Sequence, residues 1–94
     1  MAKYRKKPVA IEAWRVRELL ALAQGDWASL PIAVRDAYDG GGLVFCPECI
    51  HVRTLEGAMI ADIDDWLING VAGEFYPVKP AIFEQTYEPV EVTT

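Results

Sequence analysis

Cysteine and histidine are almost missing from this 94-residue chain, which has two of the first and one of the second. That scarcity limits the chemistry. A structural zinc site takes four ligands, and Cys46, Cys49 and His51 are the only soft ones on offer. A Ser–His–Asp or Cys–His relay would have to run through the same imidazole, with Cys46, Cys49 or Ser29 attacking. Also lacking is any apolar run near the ~18–20 residues that span a bilayer. The basic start "MAKYRKKP" is followed by the alternating "VAIEAWRV" rather than by the apolar segment of a secretory signal. The expected setting is therefore intracellular. No glycine-rich phosphate loop is present: "GGGL" (40–43) leads from a helix into a strand, the reverse of a P-loop or dinucleotide fingerprint. Repeats, low-complexity stretches and linkers are absent too, so a single domain over residues 1–94 is expected.

What is there is uneven in charge. Residues 1–47 carry seven Lys/Arg against five Asp/Glu, a balance of +2, and residues 48–94 carry two against nine, a balance of −7. The net charge of −5 and the acidic second half argue against sequence-specific nucleic-acid binding, which wants a basic stripe. They suit a partner that presents a basic groove, or a solvated face that keeps the chain soluble. The basic cluster "KYRKKP" (3–8) could face phosphates, or serve as a solvated arm that blocks strand pairing.

Periodicity divides the chain into strand, helices and strands. "PVAIEAWRV" (8–16) alternates with period two and reads as a first strand, placing Val9, Ile11 and Ala13 on one face. Val16, Leu19, Leu20 and Ala23 fall on one helical stripe, with Gly25 placed to stop the helix. A second helix is expected after Ser29 as N-cap and Pro31 in the first turn, burying Leu30, Ala33, Val34, Ala37 and Tyr38. Short strands follow at 43–46, 50–55 and 58–62, joined by turns at Pro47-Glu48 and Glu56-Gly57. A further hairpin pairs 66–70 with 74–78. Its turn lies at Ala72-Gly73 in preference to Asn69-Gly70, because longer matched strands result. A helical turn after Pro80 and an edge strand at 86–92 complete the pattern. The fold class is α+β: a bent antiparallel sheet or open β-barrel of five to seven strands, with two helices inserted after the first strand.

Three groups could carry chemistry. "CPECIH" holds half of a zinc site in Cys46, Cys49 and His51; the fourth ligand would have to be Glu48, in poor geometry, or a second subunit. A redox role would need a helix N-terminus after the motif, whereas its flanks read as strands. Two strand-end cysteines packed as small hydrophobes are the blander reading, and the expectation is no bound cofactor. If strand 50–55 alternates, His51 shares a face with Arg53 and Leu55, opposite Ile50 and Val52, and is expected as a surface side chain rather than a general base. "DIDDW" (62–66) groups Asp62, Asp64 and Asp65, yet lacks the spacing of a calcium loop. The aromatics Trp66, Phe75, Tyr76, Phe83 and Tyr87 serve chiefly as core, with Trp66 or Tyr76 left over for a partner.

"YRKKPVAIEAW", "TLEGAM", the central "LP…V…AY" and "DWLINGVAGEFYPVKPAIFEQTYEPV" together resemble a family of small phage and prophage proteins. The family pattern runs Tyr-Arg-Lys-Lys-Pro-Val, Thr-Leu-Glu-Gly, Pro-Gly-Asp-Trp/Tyr, then Gly-Val-x-Gly-Glu-x-Tyr-Pro-Cys-Lys-Pro-Asp-Ile-Phe-Glu-x-Thr-Tyr-Glu. This chain departs from it at Ile63-Asp64, where the family has Pro-Gly, at Val78 for Cys and at Ala81 for Asp. The resemblance implies a phage-encoded accessory protein of the host bacterial cytoplasm, and no reaction. The expectation is a non-enzymatic inhibitor of a host defence protein, anti-CRISPR-like, that docks on a nuclease complex. Its contacts would come from Asp64, Asp65, Trp66, Glu74, Tyr76 and Lys79. The alternative is a sponge for a cyclic nucleotide, with Arg5, Lys7, Arg53 or Lys79 on phosphates beside Trp66 or Tyr76, in a pocket a homodimer could supply. A second alternative is a zinc or thiol enzyme built on Cys46, Cys49 and His51.

Overall fold

The computed structural model describes residues 2–4 and 10–90. Chain order is β1 (Glu12–Arg15), α1 (Val16–Gly25), a 3₁₀ turn (Trp27–Ser29), α2 (Ile32–Asp39), β2 (Leu43–Phe45), β3 (Cys49–Thr54), β4 (Gly57–Asp62), β5 (Trp66–Asn69), β6 (Phe75–Val78) and α3 (Pro80–Thr86). The class is α+β as expected, with two helices after the first strand. Among the described residues six strands form two antiparallel sheets, ordered β1-β5-β6 and β2-β3-β4, and no closed barrel.

Local chemistry explains most boundaries. Val16, Leu19 and Leu20 are the buried stripe of α1, and Ala23 packs beside them. Gly25 does not act as the left-handed stop expected of it: it is the last helical residue, and the Asp26 amide donates to the Leu22 carbonyl at 2.8 Å. Ser29 does not cap α2 either. Leu30 precedes a proline and is extended (φ −60°, ψ 142°), so Ser29 is held two residues short of the cap position. Its hydroxyl donates to Asp26 instead, and Pro31 takes the cap position. In α2 only Val34 is fully buried, while Tyr38 is exposed at the rim.

The hairpins follow their turn residues. The β3–β4 turn sits at Leu55-Glu56, one residue earlier than expected, because Gly57 pairs with Thr54 as the first residue of β4 at φ 126°. In the β5–β6 hairpin, Asn69 pairs with Phe75, so the reversal falls beyond Asn69-Gly70. Gly73 takes φ 85° and its amide donates to the Gly70 carbonyl at 3.0 Å. This agrees with the Ala72-Gly73 preference. Pro80 opens α3 at its first turn, where no amide is needed. The expected last strand does not form over Tyr87–Val90, because α3 runs on through Thr86 and the Tyr87 amide closes its end on the Phe83 carbonyl at 2.9 Å. Residues 91–92 of that strand lie outside the described residues, as do 8–9 of the first strand and 5–8 of the basic cluster.

One cluster forms the main core: Val16, Leu19, Leu20, Leu30, Val34, Leu43, Ile50, Val52, Ala61 and Leu67. The two sheets meet it differently. Along β3 burial alternates, with Ile50 and Val52 inside. Along β5 Leu67 and Ile68 are both fully buried. Successive strand residues point to opposite faces, so both sides of β5 are covered. Leu67 faces the main core. Ile68 shares the far face with Trp66, whose ring stacks on Phe83 of α3 at 4.0 Å and 8°. Among the described residues no helix is long and apolar enough to cross a membrane.

Candidate functional site

The aspartates at the exit of β4 are part of the scaffold. Asp65 is 2% exposed. Its Oδ2 accepts the Asp62 amide at 2.9 Å and the Lys79 ammonium at 3.2 Å, and its carbonyl accepts the first amide of α1, from Val16, at 3.0 Å. One residue thus ties the two sheets and α1 together. Lys79 also reaches Asp62 at 3.1 Å, and its hydrogen bonds to Asp62 and then Asp65 push its pKa up. Asp64 is exposed and pairs with Arg17 at 2.7 Å. A buried Asp65 cannot serve as the partner contact that its sequence position suggested, and Lys79 is already held by two carboxylates.

Trp66 is likewise engaged. Phe83 stacks on its ring, the Arg15 guanidinium lies 4.8 Å from the ring centre, and Tyr87 tilts against Phe83 at 5.2 Å. These aromatics form a second, smaller core between the first sheet and α3. Phe75 stacks on Trp14 at 6.4 Å and belongs to the main core instead.

Glu74 and Tyr76 stand elsewhere, on a groove of about 650 Å³ where the end of β3 and the start of β6 diverge. Arg53, Leu55, Glu56 and Met59 line it with them. Leu55 is fully exposed and Met59 is 44% exposed, so the groove is apolar with charges of both signs along it. The Tyr76 hydroxyl shares a hydrogen bond with that of Tyr87 at 3.2 Å. Burial, then that bond, then the nearness of Tyr87 and Glu74 push the Tyr76 pKa up to about 12. The Glu74 side chain lies across Gly70, where a Cβ would collide with it, and the Gly70 amide donates to the Glu74 carbonyl at 2.7 Å. Glycine at 70 is what lets Glu74 fold back along the rim. Of the cations named for phosphate, Arg53 joins Tyr76 in this groove; Lys79 does not, and Arg5 and Lys7 lie outside the described residues. Leu55 and Met59 escaped sequence reasoning because a turn residue and a strand residue of an exposed hairpin carry no periodic signal of a groove.

The Cys/His group lies on the second sheet. Pro47 and Glu48 make a two-residue turn closed by the Cys46 amide on the Cys49 carbonyl at 2.9 Å. The ligand atoms of Cys46, Cys49 and His51 all lie within 4.8 Å of one another. Burial, then the hydrogen bond with Cys46, pushes the Cys49 thiol pKa up, with Cys46, Asp62 and Glu48 adding to it. A second hollow of about 380 Å³ borders Cys46 and is ringed by Trp27, Tyr38 and Phe45, an edge-on and stacked aromatic set at 4.9–5.8 Å.

Comparison with protein-family models, with curated proteins and with solved structures yields no match for this chain.

Proposed function

We propose that this chain is a non-enzymatic binding protein that holds an apolar side chain of a host protein in the Leu55–Met59–Tyr76 groove. The observation that carries the reading is a fully exposed leucine beside a half-exposed methionine on one open groove of about 650 Å³. Large apolar side chains gathered on one concavity mark interaction sites, whereas single exposed ones do not. Arg53, Glu56 and Glu74 supply a rim of both signs, which orients a partner and rejects wrong ones. The resemblance to small phage and prophage proteins supplies the setting: inhibition of a bacterial defence protein, such as a nuclease complex. Of the carboxylates most conspicuous in the sequence, Asp65 is buried in the scaffold while Asp62 and Asp64 are already paired with Lys79 and Arg17, which favours the groove as the contact surface.

The test compares the chain with Leu55→Asp and Met59→Asp. Both side chains are exposed, so melting should move little, by under about 0.5 kcal/mol in stability. The unaltered protein should form a stoichiometric complex with one defence protein and restore plaquing of a phage that this defence restricts. The variants should lose both. A complex that survives Leu55→Asp together with Met59→Asp, or loss of complex only with changes at Asp64 and Arg17, would move the site off the groove.

A further inference from the structure

The Cys46–Cys49–His51 cluster lies outside that groove and points to a separate activity. We infer that it is a zinc site of three protein ligands, two thiolates and one imidazole, with a fourth position filled by solvent.

Backbone geometry builds the cluster. A two-residue turn through Pro47 and Glu48 sets Cys46 and Cys49 at facing positions, locked by the 2.9 Å amide-to-carbonyl bond between them. Proline has a fixed φ, so the loop between the two thiols is stiff before any metal arrives. Strand alternation then places His51 on the same face as Cys49, because residues two apart in a strand share a side. Ile50 and Val52, on the opposite face, are fully buried in the main core, so this face of β3 is the outer one.

The distances fit. Zn–S near 2.3 Å and Zn–N near 2.0–2.1 Å place tetrahedral ligand atoms roughly 3.5–3.8 Å apart. The three ligand atoms lie within 4.8 Å of each other, so closure asks for side-chain rotation of about an ångström and no backbone movement. Electrostatics favour a cation as well. Glu48 sits in the turn itself, and Asp62, already paired with Lys79, stands directly opposite Cys49 in the β3–β4 ladder. Neither cysteine belongs to the main core, and both are only half-buried. Free cysteines that serve merely as small hydrophobes are usually among the most buried residues. Two thiols beside an imidazole select zinc over magnesium or calcium, which want oxygen. The neighbours of His51 across the ladder, Val44 and Ile60, are exposed and apolar, so they flank the imidazole without competing for the metal.

The experiment uses the whole chain, reduced, stripped with a chelator and desalted, with cobalt(II) and then zinc(II) as probes. Cobalt should give thiolate charge-transfer absorption and the strong visible bands of a tetrahedral site, saturating at one metal per chain and bleached by zinc. Zinc at about 100 times its dissociation constant should raise the melting temperature by roughly 10–20 °C. Cys49→Ser should roughly halve the charge-transfer intensity per bound cobalt and weaken binding, and Cys46→Ser with Cys49→Ser should abolish the band. His51→Ala should weaken binding by at least 10–100-fold, the range seen when even an outer partner of a ligand is lost. His51 lies on the outer face, so the metal-free melting temperature of His51→Ala should match that of the unaltered chain and separate ligand loss from misfolding. Cobalt spectra without thiolate absorption, charge-transfer intensity unchanged in Cys49→Ser, or no melting shift with zinc would each overturn the assignment. Loss of the host complex in the groove variants leaves zinc binding intact if the two sites are separate.

Discussion

The two sheets of this protein have the same number of strands and the same antiparallel pairing, yet they are covered differently. The first, β1-β5-β6, lies between the main core on one face and α3 on the other, and its central strand buries two residues in succession, Leu67 and Ile68. The second, β2-β3-β4, buries one face only and leaves Val44 and Ile60 outside. A seven-residue helix makes the difference. Where α3 lies, aromatics become a small core; on the second sheet no helix among the described residues lies over the outer face, which is left open. The first sheet is scaffold, and the second carries both the Cys/His cluster and one wall of the groove.

The contrast is sharpest in paired truncations. Leu67→Ala removes a fully buried side chain at a strand covered on both faces and should cost about 3–4 kcal/mol. Ile60→Ala removes a side chain already 54% exposed on the open face and should cost below about 1 kcal/mol. Urea unfolding of the two variants measures both. Similar losses would mean that the outer face of the second sheet is covered after all.

The next comparison sets neighbours against each other. Asp65→Ala removes the buried carboxylate that accepts the Asp62 amide and takes a partner from Lys79, and should cost about 1–3 kcal/mol. Asp64→Ala breaks only an exposed pair with Arg17, worth at most ~1 kcal/mol. Equal losses in thermal or urea unfolding would deny Asp65 its role as the tie between sheets. Spacing could not tell these aspartates apart. "DIDDW" reads as one acidic turn, and which carboxylate turns inward depends on Lys79, a residue 14 positions further on.

That limit recurs wherever the deciding partner is distant in sequence. The helical stripe of Val16, Leu19 and Leu20, the alternation of Ile50 and Val52, and the Gly73 turn were legible because each depends on residues a few positions apart. The failures at Gly25, Ser29 and the last strand were local contests, in which Asp26, Pro31 and the continuing α3 helix prevailed. Which aromatics become core could be guessed only in bulk. Trp66 looked like a spare contact, and its cover comes from Phe83, which no spacing rule connects to it. Of the candidate site residues, Glu74 and Tyr76 fall on the groove together, while Leu55 and Met59 joined them only once the sheets were placed.

Tyr76 stands where the two regions touch, lining the groove while its hydroxyl bonds to Tyr87 beside the second aromatic core. It therefore reports on the boundary between them, through its titration. Its pKa is raised from 10.0 to about 12, so the folded state holds the proton that the unfolded chain releases first. The resulting stability is complete below about pH 10, declines as the unfolded tyrosine ionises, and is gone once pH passes about 12. The difference in tyrosinate absorbance between the unaltered chain and Tyr76→Phe isolates this titration. Tyr87→Phe removes the hydrogen bond and the neighbouring charge but leaves the burial, so the Tyr76 midpoint should fall part of the way back towards 10. A midpoint unmoved by Tyr87→Phe would leave burial and the nearby Glu74 as the causes, and the groove would then be independent of the aromatic core beneath α3. A midpoint that also shifts when the groove is occupied by its partner would make the same hydroxyl a direct readout of binding.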